Sequence, residues 1–161
     1  MHTWTDVAHA APDLARAVRA RFEAHGLGLL ATLRRDGSPR ISGVEPLFAL
    51  DDLWLGMMPG SRKASDLVRD PRFALHSATA DKQATAGDAK IAGRALAVVG
   101  EAELARYAEA FEAVNGYPPG AGPFTLFRAD VMDISVLRVV GDHLEITFWR
   151  VGSGVQTIER R

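Results

Sequence analysis

Residues 28–50 read GLLATLRRDGSPRISGVEPLFAL, and this stretch decides the fold. Leu29–Leu33 is a short apolar run with strand character, Asp36-Gly37 is a hairpin turn signal, and Arg40–Leu50 reads as the returning strand. Asp51-Asp52 turns the chain again into a third strand, Leu53–Met57. Strands joined this closely form an antiparallel meander.

The pattern continues outward in both directions. Upstream, Leu14, Val18 and Phe22 fall on one helical face, with Pro12 suited to the first turn and Gly26 to the stop, which predicts a helix over Pro12–Ala24. Downstream, Pro59–Pro71 predicts a tight turn and a short helix ending before Pro71. Strands are expected over Phe73–Ala78, Lys90–Gly100, Phe124–Arg128, Met132–Val139 and Leu144–Arg150, with a helix over Glu101–Val114. Loops are expected over Ala80–Asp88 and Asn115–Pro123, and Gly152-Ser153-Gly154 turns into a short tail. The result is a mainly β chain with helices, an α+β class. Seven or eight short strands predict an antiparallel barrel, which hides strand edges, with two or three helices packed outside.

Composition narrows the function. The 161 residues, 47% of them hydrophobic, suit one domain spanning 1–161. A net charge of −1 provides no footprint for nucleic acid or an anionic membrane. The apolar runs are too short to span a bilayer, and Met1–Ala10 lacks the pattern of a signal peptide, so a cytoplasmic location is expected. With no cysteine, disulfides, thiolate metal sites and cysteine nucleophiles are excluded. The five histidines, at 2, 9, 25, 76 and 143, form no helical metal pair. Gly-x-Ser-x-Gly and strand-linked Gly-x-Gly-x-x-Gly motifs are both missing.

What remains is cationic. The chain has sixteen arginines but only three lysines, at 63, 82 and 90. Gly60-Ser61-Arg62-Lys63 sits where the third strand turns into the short helix, so helix-start N–H groups and two adjacent cations favour an anion there. Arg40 adds a third cation on a neighbouring strand, and Ser42 and Gly43 beside it would let a flat ligand approach the backbone. Trp149-Arg150 offers an aromatic next to a cation. A solvated charged turn, a strand-end charge and a core-plus-rim pair are the alternatives for these three features.

In order, the chain carries Ala31-Thr32-Leu33, Asp36-Gly37-x-Pro39-Arg40, a Trp-bearing strand, Gly60-Ser61-Arg62-Lys63-Ala64 and Asp66-Leu67-x-x-Asp70-Pro71-Arg72. In these motifs it resembles the pyridoxamine 5′-phosphate oxidase-like, FMN-binding split-barrel superfamily. The likeness is good over roughly residues 25–100 and looser in the tail. It implies a six-stranded split barrel, a homodimer with cofactor sites at the interface, and an FMN-binding oxidoreductase that transfers hydride to a small-molecule substrate. Arg40 corresponds to a phosphate-binding arginine, Ile41, Ser42, Gly43 and Val44 to the strand beside the flavin ring, and Ser61, Arg62 and Lys63 to the phosphate turn. Trp149 and Arg160 resemble C-terminal residues that reach the partner's flavin.

There are departures. Met57 stands where many members carry Thr or Ser, and Ala95 roughly where vitamin-forming members carry a flavin-contacting Gln. The tail Gln156-Thr157-Ile158-Glu159-Arg160 lacks the His of the vitamin-forming enzymes, so oxidation of pyridoxamine phosphate is not expected. Two other readings stay open. One is a reductase using the deazaflavin coenzyme F-420, whose acidic tail Arg94 or Arg128 would meet. The other is a non-catalytic flavin- or haem-binding module with His76 or His143 as axial ligand.

Overall fold

A computed structural model describes residues 1–79, 81–120 and 122–161. The expected loops over 80–88 and 115–123 each contain one residue, Ala80 or Ala121, that lies outside this description. The first two helices are α1 (Trp4–Ala10) and α2 (Pro12–Glu23), followed by β1 (Gly28–Leu33), β2 (Pro39–Val44), β3 (Pro46–Ala49) and β4 (Asp52–Met57). Then come α3 (Arg62–Arg69), β5 (Arg72–Ser77), β6 (Asp88–Val98), α4 (Glu101–Asn115), β7 (Thr125–Val140), β8 (His143–Arg150) and β9 (Gly154–Arg160).

All pairings are antiparallel, in the order β2-β1-β5-β6-β7-β4-β3, with β8 and β9 continuing from β7. The mainly β, α+β class holds. The described chain has nine strands and four helices, against seven or eight strands and two or three helices expected from the sequence and the six strands the resemblance implies, and its sheet is not closed.

The opening has a local cause. The expected strand over Arg40–Leu50 divides at Glu45-Pro46: β2 pairs with β1, whereas β3 pairs with β4 at the other end of the path. Pro46 has no N–H for a ladder, which suits the break. Three other expectations are corrected. The runs 124–128 and 132–139 are one strand, β7, bent by a register shift opposite Ala92/Gly93. The tail is a strand, β9, at the edge of the sheet. Finally, α1 precedes the expected first helix and is started by a capping box in which Thr3 Oγ1 accepts from the Asp6 N–H and Asp6 accepts from the Thr3 N–H.

Alternation builds the core. Leu30 on β1, Leu75 on β5, Ile91 on β6 and Ile134 on β7 face inward, where Val18 and Phe22 of α2 join them. A second cluster lies under α4, where Tyr107 and Phe111 pack on Leu47, Trp54 and Leu126. The opposite sheet face keeps apolar residues in solvent, with Leu29 44% and Ile41 72% exposed. Among the described residues, no helix is long and apolar enough to cross a membrane.

Candidate functional site

The site forms where α3 leaves β4 and packs on β1 and β2. Ser61 caps α3, its Oγ accepting from the Ala64 N–H at 3.4 Å. The N–H groups of Arg62 and Lys63 precede the helix's own ladder and point away from it. Lys63 Nζ donates to the Gly43 carbonyl, bridging α3 to the end of β2. Burial lowers the Lys63 amine from its ordinary value, opposed by the charge of Glu45.

Arg62, Asp66 and Arg69 stand at i, i+4 and i+7, on one face of α3. Asp66 is buried beneath that face. Its Oδ2 accepts from Arg40 Nε at 2.7 Å and from Thr32 Oγ1 at 2.9 Å, and its Oδ1 accepts from Arg69 Nη2 at 3.0 Å. Arg69 Nη2 also donates to the Leu33 carbonyl. Burial alone would raise the Asp66 carboxyl, but the donors Arg40, Arg69 and Thr32 outweigh it and hold the group below its ordinary value. Thus Arg40, Arg62, Lys63 and Arg69 converge on one short helix whose buried carboxylate offsets one of their four charges.

Beside this turn opens a cavity of about 400 Å³, lined by Gly43, Val44, Met57, Ser61 and Lys63 on one side and by Tyr107, Phe111 and Phe124 on the other, with Glu45 at its edge. Tyr107 is almost fully buried, and burial raises its phenol above the ordinary value.

The structure therefore brings Gly43, Val44, Met57, Ser61 and Lys63 to one cavity, whereas Arg40, held by Asp66, and Arg62, the first residue of α3, lie outside its lining. Ile41 departs from this grouping. Neighbouring strand residues point to opposite faces, so Ile41 faces the outer side while Arg40, Ser42 and Val44 face the other. Trp149 is buried in the main core and offers no open ring face; Arg160 is exposed on the edge strand β9. Neither lines the cavity. Ala95 is also core. Arg128 is held under α4, 3.5 Å from Glu103 and 3.8 Å from Asp52, and is no free entrance cation; Arg94 is exposed on β6 opposite Arg72.

Of the histidines, His143 lies between Asp142 and Glu159, at 3.4 and 3.9 Å. His76 lines a cavity on the outer sheet face with Leu29, Ala31, Ile41 and Ala74. Among the described residues, no group of three or more His, Cys, Asp or Glu is placed to hold a metal ion. Sequence reasoning missed Asp66 as the organiser of the cations and Tyr107 as a cavity wall. A signal for Asp66 existed, since an acidic residue four after Arg62 and three before Arg69 shares their helix face.

The strands form an open antiparallel sheet, and α3 starts with a serine cap followed by two cations. The family model described as pyridoxamine 5′-phosphate oxidase matches residues 14–138, and the chain belongs to that family. No curated protein matches the chain. Among solved structures, a pyridoxamine 5′-phosphate oxidase-related, FMN-binding protein from Nostoc punctiforme is 14% identical, with a TM-score of 0.64, covering 98% of this chain and 99% of that one. PhzG from Burkholderia lata, in complex with tetrahydrophenazine-1-carboxylic acid, is 16% identical, with a TM-score of 0.62 and coverage of 96% and 91%. A heme-binding protein from Mycobacterium smegmatis is 25% identical, with a TM-score of 0.56 and coverage of 81% and 57%.

Proposed function

We propose that this chain binds FMN as a homodimer and serves as a flavin-dependent oxidoreductase acting on a small molecule other than pyridoxamine phosphate. The observation that carries the reading is the set of cations on α3, with Arg62 and Lys63 at its capped start, Arg40 bound to Asp66 one turn further on, and Ser61 and Lys63 lining a cavity with aromatic walls. The donor set fits a phosphate monoester: backbone N–H groups, a serine cap and an excess of cations around one saturated carboxylate. Arg62 has no acidic partner among the described residues, so its guanidinium is available.

Bound flavin would supply hydride acceptance and donation. This chain would anchor its phosphate through Arg40, Ser61, Arg62 and Lys63, and keep water from one side with Val44 and Met57. The outer face, with Leu29 and Ile41 exposed, is the surface a second copy would cover. Arg160 rather than the core-buried Trp149 is the tail residue free to reach a partner. The tail lacks a histidine and sets Glu159 beside Arg160, which argues against holding a phosphorylated pyridoxine.

A second reading has one specific observation in its favour. His76 Nδ1 lies 2.7 Å from the Ser77 carbonyl, an acceptor only, so Nδ1 donates there and, in the neutral ring, Nε2 carries the lone pair beside an apolar sheet face. That is the tautomer a haem iron would need, and the Mycobacterium smegmatis relative is described as heme-binding.

Mass spectrometry and absorption of the ligand released from the purified protein distinguish these readings. FMN supports the proposal, the deazaflavin coenzyme reassigns the same anion site to a different redox group, and haem with a Soret band lost in His76→Ala supports the second reading.

A further inference from the structure

We propose that Asp66 is the positioning residue of the anion site: its buried carboxylate takes Nε of Arg40 and leaves both Nη groups of that arginine to face a phosphate. The inference rests on the anion-site reading above and adds how the site is oriented.

A guanidinium has one N–H on Nε and four on its two Nη atoms, in a fixed planar fork. In this chain the Arg40 side chain makes one hydrogen bond among the described residues, from Nε to Asp66 Oδ2 at 2.7 Å. Both Nη groups are without a partner among the described residues, although the side chain is only 22% exposed. Neither Nη group is buried without a partner, so the four N–H donors of the fork are open to solvent and to an incoming anion.

Asp66 can do this because it does not depend on Arg40 for neutrality. Arg69 bonds the other carboxylate oxygen, and Thr32, which stands opposite Arg40 in the β1–β2 register, donates a third hydrogen bond. Arg40 therefore contributes its charge to a ligand while its direction is set from behind. Arg62 stands one helical turn before Asp66 on the same face of α3 and adds a further cation to that face.

Simple competition predicts the opposite. If Asp66 held Arg40 back from the anion, neutralising it would free the arginine and tighten binding.

The test is a double-mutant cycle on the full chain, with FMN affinity read by titration in wild type, Asp66→Asn, Arg40→Ala and the double variant. Arg40→Ala leaves Asp66 bonded to Arg69 and Thr32, so a folded protein is expected. Positioning predicts that Asp66→Asn weakens FMN about tenfold in the wild-type background and has no effect once Arg40 is gone. Arg40→Lys, which cannot satisfy Asp66 and the ligand with separate arms, should lose affinity similarly. Tighter binding by Asp66→Asn, or an equal loss in both backgrounds, overturns the proposal.

Inorganic phosphate titrated against the Arg40 Nε–H resonance gives a second readout. The proton should be protected from exchange in wild type, retained when phosphate binds, and exposed in Asp66→Asn. If wild type binds phosphate but not FMN, the flavin reading fails while this arm still decides the positioning. If phosphate leaves the resonances of the Arg40 fork unmoved, the positioning role is overturned.

Discussion

The hydroxyl of Tyr107 occupies the place where a β-carbon on Gly56 would stand, so the two residues fix α4 against β4. The phenol cannot step aside, because its ring is packed at 5.4–6.1 Å between centroids against Trp54, Phe111 and Phe124. Gly56→Ala should therefore destabilise the fold by about 1–3 kcal/mol. Tyr107→Phe in the same chain should recover part of that loss by removing the overlapping oxygen. Urea denaturation of the three variants measures it, and a neutral Gly56→Ala would refute the packing.

Acid stability should depend on Asp66. Its folded-state carboxyl lies below the ordinary value of 3.8, because donors from Arg40, Arg69 and Thr32 overcome the cost of burial. The ionised form is favoured by folding, so the contribution is complete above that ordinary value and lost as pH falls through the depressed one. Asp66→Asn should cost about 2–3 kcal/mol at neutral pH and flatten the acid limb of the stability curve. Parallel curves for the two proteins between pH 2 and 6 would contradict this.

Lys63 should give ligand binding an alkaline limit. Burial lowers its amine below the ordinary 10.5, and only the protonated form attracts a phosphate. FMN affinity should fall as pH rises through the lowered value. Lys63→Arg, charged throughout, should abolish that fall. Titrations across the alkaline range would show identical profiles if Lys63 does not touch the ligand.

The hairpin at Asp36-Gly37 and the helix capped by Ser61 were legible because their signals are local: a turn dipeptide in one case, a cap followed by cations in the other. The break at Glu45-Pro46 was not, since the run from Arg40 to Leu50 is apolar enough for one strand and only pairing with two different partners divides it. Helix α1 buries just Trp4 and Val7, too few positions to reveal a helical period. Trp149 looked like a ligand face beside Arg150, but strand alternation turns the indole into the core and sends Arg150 to Asp133 at 2.8 Å. The role of Asp66 needs three elements to meet, and no local pattern carries that.

Assembly should depend on the outer sheet face. Ile41 is 72% exposed there, next to Leu29 and Ala31. Light scattering should give twice the 17.4 kDa chain mass for wild type and the monomer mass for Ile41→Glu, whose carboxylate would be buried unpaired. A wild-type monomer at micromolar concentration would contradict the proposed dimer.

The central claim is that the Ser61-Arg62-Lys63 turn is a phosphate anchor. Isothermal titration of FMN and of riboflavin against wild type, Arg62→Ala and Lys63→Ala tests it most directly, because the two ligands differ only in the phosphate. Each lost charge-assisted hydrogen bond should cost about 1.5–3 kcal/mol, so FMN should weaken at least about tenfold in either variant while riboflavin stays nearly unchanged. Unchanged FMN affinity in both variants, or equal losses for both ligands, would contradict the anchor.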